Sequence, residues 1–153
     1  MKNLFIEQQK GIRIEKIKIH KLMNLLKSEL KFELKNLQIN FVSEKTIIDI
    51  NKTHLNHKYA TDIITFNYSS DNNLLEGEIF ICIKVALENA ISFNVNLDTE
   101  ILRLVIHGLL HMIGFDDKKV KDRRIMKKKE DELVKLFDFE FKSIIIEYDS
   151  EDC

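Results

Sequence analysis

His107 and His111 stand four residues apart, separated by Gly108, Leu109 and Leu110, and Met112-Ile113-Gly114-Phe115-Asp116-Asp117 follows. On a helix that spacing puts both imidazoles on one face, one turn apart, where they can converge on one point. Gly114 can end the helix there, because glycine readily takes the left-handed conformation found at helix ends. A chain turned back at that glycine could return Asp117 to the same point. Two histidines and one carboxylate leave a fourth position open to water, the usual construction of a catalytic zinc site. The expected ligands are therefore His107, His111 and Asp117, with Asp116 the neighbour most easily mistaken for the third.

The competing reading makes both histidines ordinary core residues. From position 101 to 113 the chain is apolar almost all round, the pattern of a buried central helix, and its only polar side chains there are Arg103, His107 and His111. Both histidines project onto one narrow stripe with Glu100. Burying two imidazoles side by side is costly unless each finds a partner, and a shared metal provides one.

Periodicity and turn signals outline the elements that must position this helix. Residues 4–7 read as a first strand, and 14–34 contain an amphipathic helix with Ile19, Leu22, Met23, Leu26 and Leu30 on its buried side. Residues 37–42 alternate as a half-buried strand, and Ser43 then caps a helix carrying Ile47, Ile50 and Leu55. Residues 61–68 and 77–83 read as two further strands around a polar loop. Helices follow over 84–94, then the histidine helix, which Asp98 or Thr99 can cap, and then 120–137. The expected class is α+β: a small mixed sheet of about four strands covered by helices, with the histidine helix central and buried. Ile144-Ile145-Ile146 reads either as an added strand or as a docking segment.

A chain of 153 residues supports one core, expected over residues 1–140 with a C-terminal tail at 141–153. No apolar run reaches membrane-spanning length and no secretory signal is read at the start, so a cytoplasmic location is expected. Cys82 and Cys153 lack ligand spacing and read as a buried strand thiol and a tail thiol in a reducing compartment. A net charge of −1 argues against coating nucleic acid through a global positive field. A local basic run, Lys118, Lys119, Lys121, Arg123, Arg124, Lys127, Lys128 and Lys129, is the best candidate for contact with an RNA backbone. Its bland alternative is the wet face of a helix, diluted by Asp122, Glu130, Asp131 and Glu132. No aromatic stacking platform is evident, so sequence readout of bases is not expected.

Residues 107 to 117 resemble the hallmark of the YbeY-type single-strand-specific endoribonucleases, bacterial metalloproteins of rRNA maturation: His-Gly-x-Leu-His-x-x-Gly-Tyr-Asp-His. Phe115 replaces the tyrosine, and Asp117 stands where a third histidine ligand usually sits. Asn51 with Thr61-Asp62-Ile63-Ile64-Thr65-Phe66 is similar to the family's Asn…Thr-Asp-Val-Leu-Ser-Phe segment, and Gly77-Glu78-Ile79 to its Gly-Asp-Ile strand. The likeness runs from about residue 37 to 130. It implies a zinc-dependent endoribonuclease acting on single-stranded rRNA or precursor rRNA, in maturation of the 16S 3′ end and ribosome quality control, with the small ribosomal subunit and its proteins as partners. An aspartate at position 117 keeps three ligands but lowers the site's charge by one, which should weaken the metal as a Lewis acid. Nickel or iron would suit the same ligands. An arginine common in the family aligns with Leu55, where it would be expected to hold phosphate; His57 or Lys58 are the nearby substitutes.

A phosphodiester cut needs a nucleophile, stabilisation of added negative charge and protonation of the leaving oxygen. Asp116, close to a ligand, and Asp62, a carboxylate in an otherwise apolar and threonine-rich strand, are the expected catalytic residues, with Glu78 and Glu100 behind them. Asp116 is equally a turn-forming aspartate, and Glu100 a helix N-terminal charge. Two rival functions share the metal site. A zinc peptidase would need a glutamate directly after the first histidine, where this chain has Gly108. A non-catalytic ribosome-assembly factor would carry a structural metal, its shell closed by a fourth ligand such as His54 or His57.

Overall fold

The computed structural model describes residues 2–149, so the expected tail thiol Cys153 lies outside the described residues. Four strands form the main sheet: β1 (Leu4–Gln8), β3 (Glu33–Val42), β4 (Ile63–Asn67) and β5 (Leu74–Cys82), in the order β1-β3-β5-β4. β1, β3 and β5 are parallel, and β4 pairs antiparallel to β5 at the sheet's edge. The helices are α1 (Lys16–Leu30), α2 (Glu44–Leu55), α3 (Ile83–Phe93), α4 (Leu97–Met112) and α5 (Val120–Phe137). The α+β class, with its mixed sheet and central histidine helix, is the one expected.

Strand alternation divides the core in two. Leu37, Ile39 and Phe41 of β3 and Leu75, Ile79 and Ile81 of β5 face α1, α4 and α5 in the main cluster. Val42, Ile64 and Cys82 point the other way and meet Ile47 of α2 in a smaller one, which buries the Cys82 thiol as expected. α4 is buried on nearly every side, from Ile101 to Met112. Gly108 makes that approach possible: a Cβ there would lie 3.0 Å from Ile79 Cδ1 and 3.2 Å from Ile63 Cδ1. Among the described residues no helix is long and apolar enough to cross a membrane.

One expected cap is corrected, and one open alternative is resolved. Asn96, rather than Asp98 or Thr99, caps α4, its Oδ1 accepting the Thr99 amide at 2.8 Å. Asp98 is free to reach the tail instead, where its carboxylate accepts the amides of Ser143, Ile144 and Ile145. The ambiguous isoleucine segment becomes a strand, β6 (Ile145–Tyr148), paired antiparallel with β2 (Ile12–Ile14). β2 escaped notice because three residues before a helix carry too little alternation to register.

Candidate metal centre

α4 ends in the turn that its glycine foreshadowed. Gly114 has φ +108°, its amide donates to the His111 carbonyl and the Phe115 amide to the Leu110 carbonyl, a Schellman termination. The reversed chain brings Asp117 back over the last turn of α4. Asp117 Oδ2 lies 3.2 Å from His111 Nε2 and 3.9 Å from His107 Nε2, and the two rings sit 4.7 Å apart, edge to face. One ligand atom from each of the three residues falls within 4.8 Å of the others. Donors of a tetrahedral zinc shell, with bonds near 2.0–2.1 Å, are separated by roughly 3.3 Å, so this group could hold a divalent metal ion.

Behind the cluster stands a residue that linear reading passed over. Glu130 of α5, 5% exposed, accepts from His107 Nδ1 at 2.7 Å through Oε1 and from Arg103 Nη1 at 2.9 Å through Oε2. A carboxylate can only accept, so Nδ1 carries the proton and Nε2 turns its lone pair toward Asp117 and His111. Burial pulls the His107 pKa down, but the Glu130 hydrogen bond and charge outweigh it, and the net shift is upward. Burial likewise pushes Glu130 up, and its bonds to His107 and Arg103 win, holding it below the usual carboxylate range. The clue lay in the helical period: Met126, Glu130, Leu133, Val134 and Phe137 are the buried residues of α5. A glutamate on that stripe needs a charged partner, and Arg103 supplies one.

The cluster opens into a cleft of about 450 Å³ whose opposite wall is the segment 61–67 with Leu55 at its rim. Asp62 lines this cleft, its Oδ2 accepting from Asn89 Nδ2 at 3.0 Å. Asp116 is exposed, accepts the Lys118 amide at 3.0 Å in a local turn, and lines a separate recess with Ile113 and Ile125. Asn51 is buried and ties down the loop beyond α2: its side chain donates to the Tyr59 carbonyl and its own carbonyl accepts the His57 amide. His54 and His57 turn to aromatic rings, His54 edge-on to Phe66 and His57 against Tyr59. Phe66 in turn stacks on Tyr68. The His54–Phe66–Tyr68 contacts were invisible in the sequence because α2 and the β4 region each contribute part of them. Of the basic run, Arg123 and Lys127 border a recess shared with His107 and Asp117. Arg123, Arg124, Lys127, Lys128 and Lys135 line a shallower groove of about 670 Å³ along the outer side of α5, interrupted by Asp131 and Glu132.

Glu100 is the other buried carboxylate of this region, 2% exposed, with Oε1 lacking a hydrogen-bond partner and Arg103 Nε 4.0 Å away. Burial first, then the charge of Asp62, pushes it up to about 7 from an ordinary 4.5. The folded chain thus keeps a proton that the unfolded chain releases once pH passes 4.5. Stability from this group is complete below about pH 4.5 and is lost as pH rises through about 7, a change of about 3 kcal/mol. Glu100→Gln removes the titration. Urea unfolding should show the variant gaining on the native chain between pH 5 and pH 8 by up to that amount; a difference independent of pH would contradict the assignment.

The chain resembles known proteins along most of its length. The family model described as endoribonuclease YbeY matches residues 4–138. The Endoribonuclease YbeY of Flavobacterium psychrophilum is 38% identical over 126 residues, 82% of this chain and 89% of that protein. That of Karelsulcia muelleri is 43% identical over 107 residues, covering 70% and 74%. The solution structure of TM1509 from Thermotoga maritima superposes with a TM-score of 0.66 at 27% identity, over 92% of each chain.

Proposed function

Because the chain belongs to the endoribonuclease YbeY family, we propose that it is a zinc-dependent enzyme that cuts single-stranded precursor rRNA. In this reading it matures the 16S 3′ end and serves ribosome quality control in the cytoplasm, working on the small ribosomal subunit. Residues 1–140 are its catalytic unit, with the tail strapped on through Asp98. The observation that carries the reading is the convergence of His107, His111 and Asp117 at one end of an open cleft, with Glu130 fixing the His107 tautomer.

His107, His111 and Asp117 would hold the cation, with two nitrogens and one oxygen, a donor set that suits zinc. Zinc bound there would polarise a phosphate oxygen and make a bound water more acidic. Of the two carboxylates first considered, Asp62 takes the proton-transfer role, since it lines the cleft and Asn89 orients it. Asp116 acts through the turn that returns Asp117 to α4. Arg123 and Lys127 attract the phosphate backbone from the recess beside the cluster. Two features speak against the rival functions. Position 108 is packed against the sheet, so it could not present a peptidase glutamate to the site. His54 and His57 are engaged with aromatic rings rather than closing the shell.

The test offers the purified protein a single-stranded 16S 3′-end RNA and the same RNA annealed to its complement. Cleavage of the single strand alone, abolished by a chelator and restored by zinc, is the expected result. Stoichiometric zinc with no cleavage would instead favour the assembly-factor function.

A further inference from the structure

We propose that the free edge of β4 is the rail on which single-stranded RNA is laid across the cleft, gripped by the backbone N–H and C=O groups of Ile63, Thr65 and Asn67. The inference rests on the RNA-cleaving function above and adds the element that selects unpaired strands.

The ladder register decides which groups are free. β4 and β5 pair as Ile63↔Ile81, Thr65↔Ile79 and Asn67↔Gly77. Just beyond the two ends, the Cys82 amide donates to the Asp62 carbonyl and the Tyr68 amide to the Glu76 carbonyl. In an antiparallel pair hydrogen-bonded and non-bonded residues alternate, so 62, 64, 66 and 68 bond to β5. Ile63, Thr65 and Asn67 therefore turn their N–H and C=O groups outward. β4 is the last strand of its sheet, and among the described residues no other backbone pairs with that side. The same three residues line the cleft that holds His107, His111 and Asp117.

An edge of this kind is usually defended. Proteins place lysine, proline or an inward charge on exposed edges to prevent stray pairing. β4 reads Ile-Ile-Thr-Phe-Asn, with no charge and no proline, so the edge is kept open beside the reacting end of the cleft. Cations stand beyond the metal cluster: Arg123 and Lys127 border the recess that His107 and Asp117 share, with Lys127 also paired to Asp131 at 3.1 Å. That charge pattern favours a polyanionic chain over a peptide. Outward groups repeat every second residue, roughly 6.8 Å, about one nucleotide of an extended strand. They can pair with base edges or donate to phosphates whatever the sequence, but base edges in a duplex are already engaged.

Amide hydrogen exchange on the zinc-loaded protein tests the rail directly, with a 2′-O-methyl single-stranded oligonucleotide as the probe. Amides of Ile63, Thr65 and Asn67 should exchange quickly in the free protein and at least about tenfold more slowly with the oligonucleotide bound. Those of Ile64 and Phe66, already in the ladder, serve as internal references. Thr65→Pro deletes one outward N–H without removing a ladder bond, and should raise KM for single-stranded RNA about tenfold with little change in kcat. RNA that is bound and cut with neither effect would overturn the rail and leave the nuclease function standing. Protection by an extended peptide but not by RNA would overturn it in favour of a protein partner. Failure of RNA both to bind and to be cut would remove the nuclease function and the rail together.

Discussion

Cleavage of single-stranded RNA falls at least about a thousandfold in His111→Ala, a loss of about 4 kcal/mol of transition-state stabilisation. The variant also no longer retains zinc. This expectation follows from position: His111 Nε2 is the nitrogen closest to Asp117, at 3.2 Å, and without it only one imidazole and one carboxylate remain. Asp117→Ala should behave alike, since its carboxylate completes the group of three. Zinc content by mass spectrometry and kcat/KM on one RNA substrate, read for both variants, separate the possibilities. Full zinc occupancy in Asp117→Ala would remove that residue from the ligand set. Metal lost with cleavage intact would remove the metal from the chemistry.

Glu130→Gln should lower zinc affinity by roughly 10- to 100-fold while every proposed ligand stays in place. The amide keeps the shape of the carboxylate but can offer its NH2 group to His107 Nδ1, which no longer fixes the lone pair on Nε2. Glu130→Ala carries a further cost. Arg103 is 23% exposed and would keep Asp131 at 2.7 Å and Glu100 at 4.0 Å but lose its bond to Glu130, so about 3 kcal/mol of stability should also be lost. Competition with a zinc-binding dye measures the first effect and urea unfolding the second. Native zinc affinity in Glu130→Gln would show that His107 is oriented by packing alone.

What could be read from the sequence follows the range of the interactions involved. The histidine pair, the Gly114 turn and the return of Asp117 lie within eleven residues, and local rules sufficed for them. Long elements such as α5 and α1 announced themselves through period. Glu130 did not, because its meaning depends on α5 lying against α4, a contact between residues 23 apart. The same holds for Asn96, which caps α4 while Asp98 binds a tail 45 residues away. Asp62 was noticed as a misplaced carboxylate; that Asn89 would hold it could not be inferred without the packing of α3.

The β2–β6 ribbon has a consequence for how the chain is made. Ile12 pairs with Tyr148 and Arg13 with Glu147, so β2 leaves the ribosome long before the strand it pairs with. Contacts of such sequence separation are slow to close. The nascent polypeptide can assemble its sheet and histidine helix in order of emergence, yet the β2–β6 seam closes only after both have been made. A protein stalled or cut at residue 140 would carry β2 without its mate.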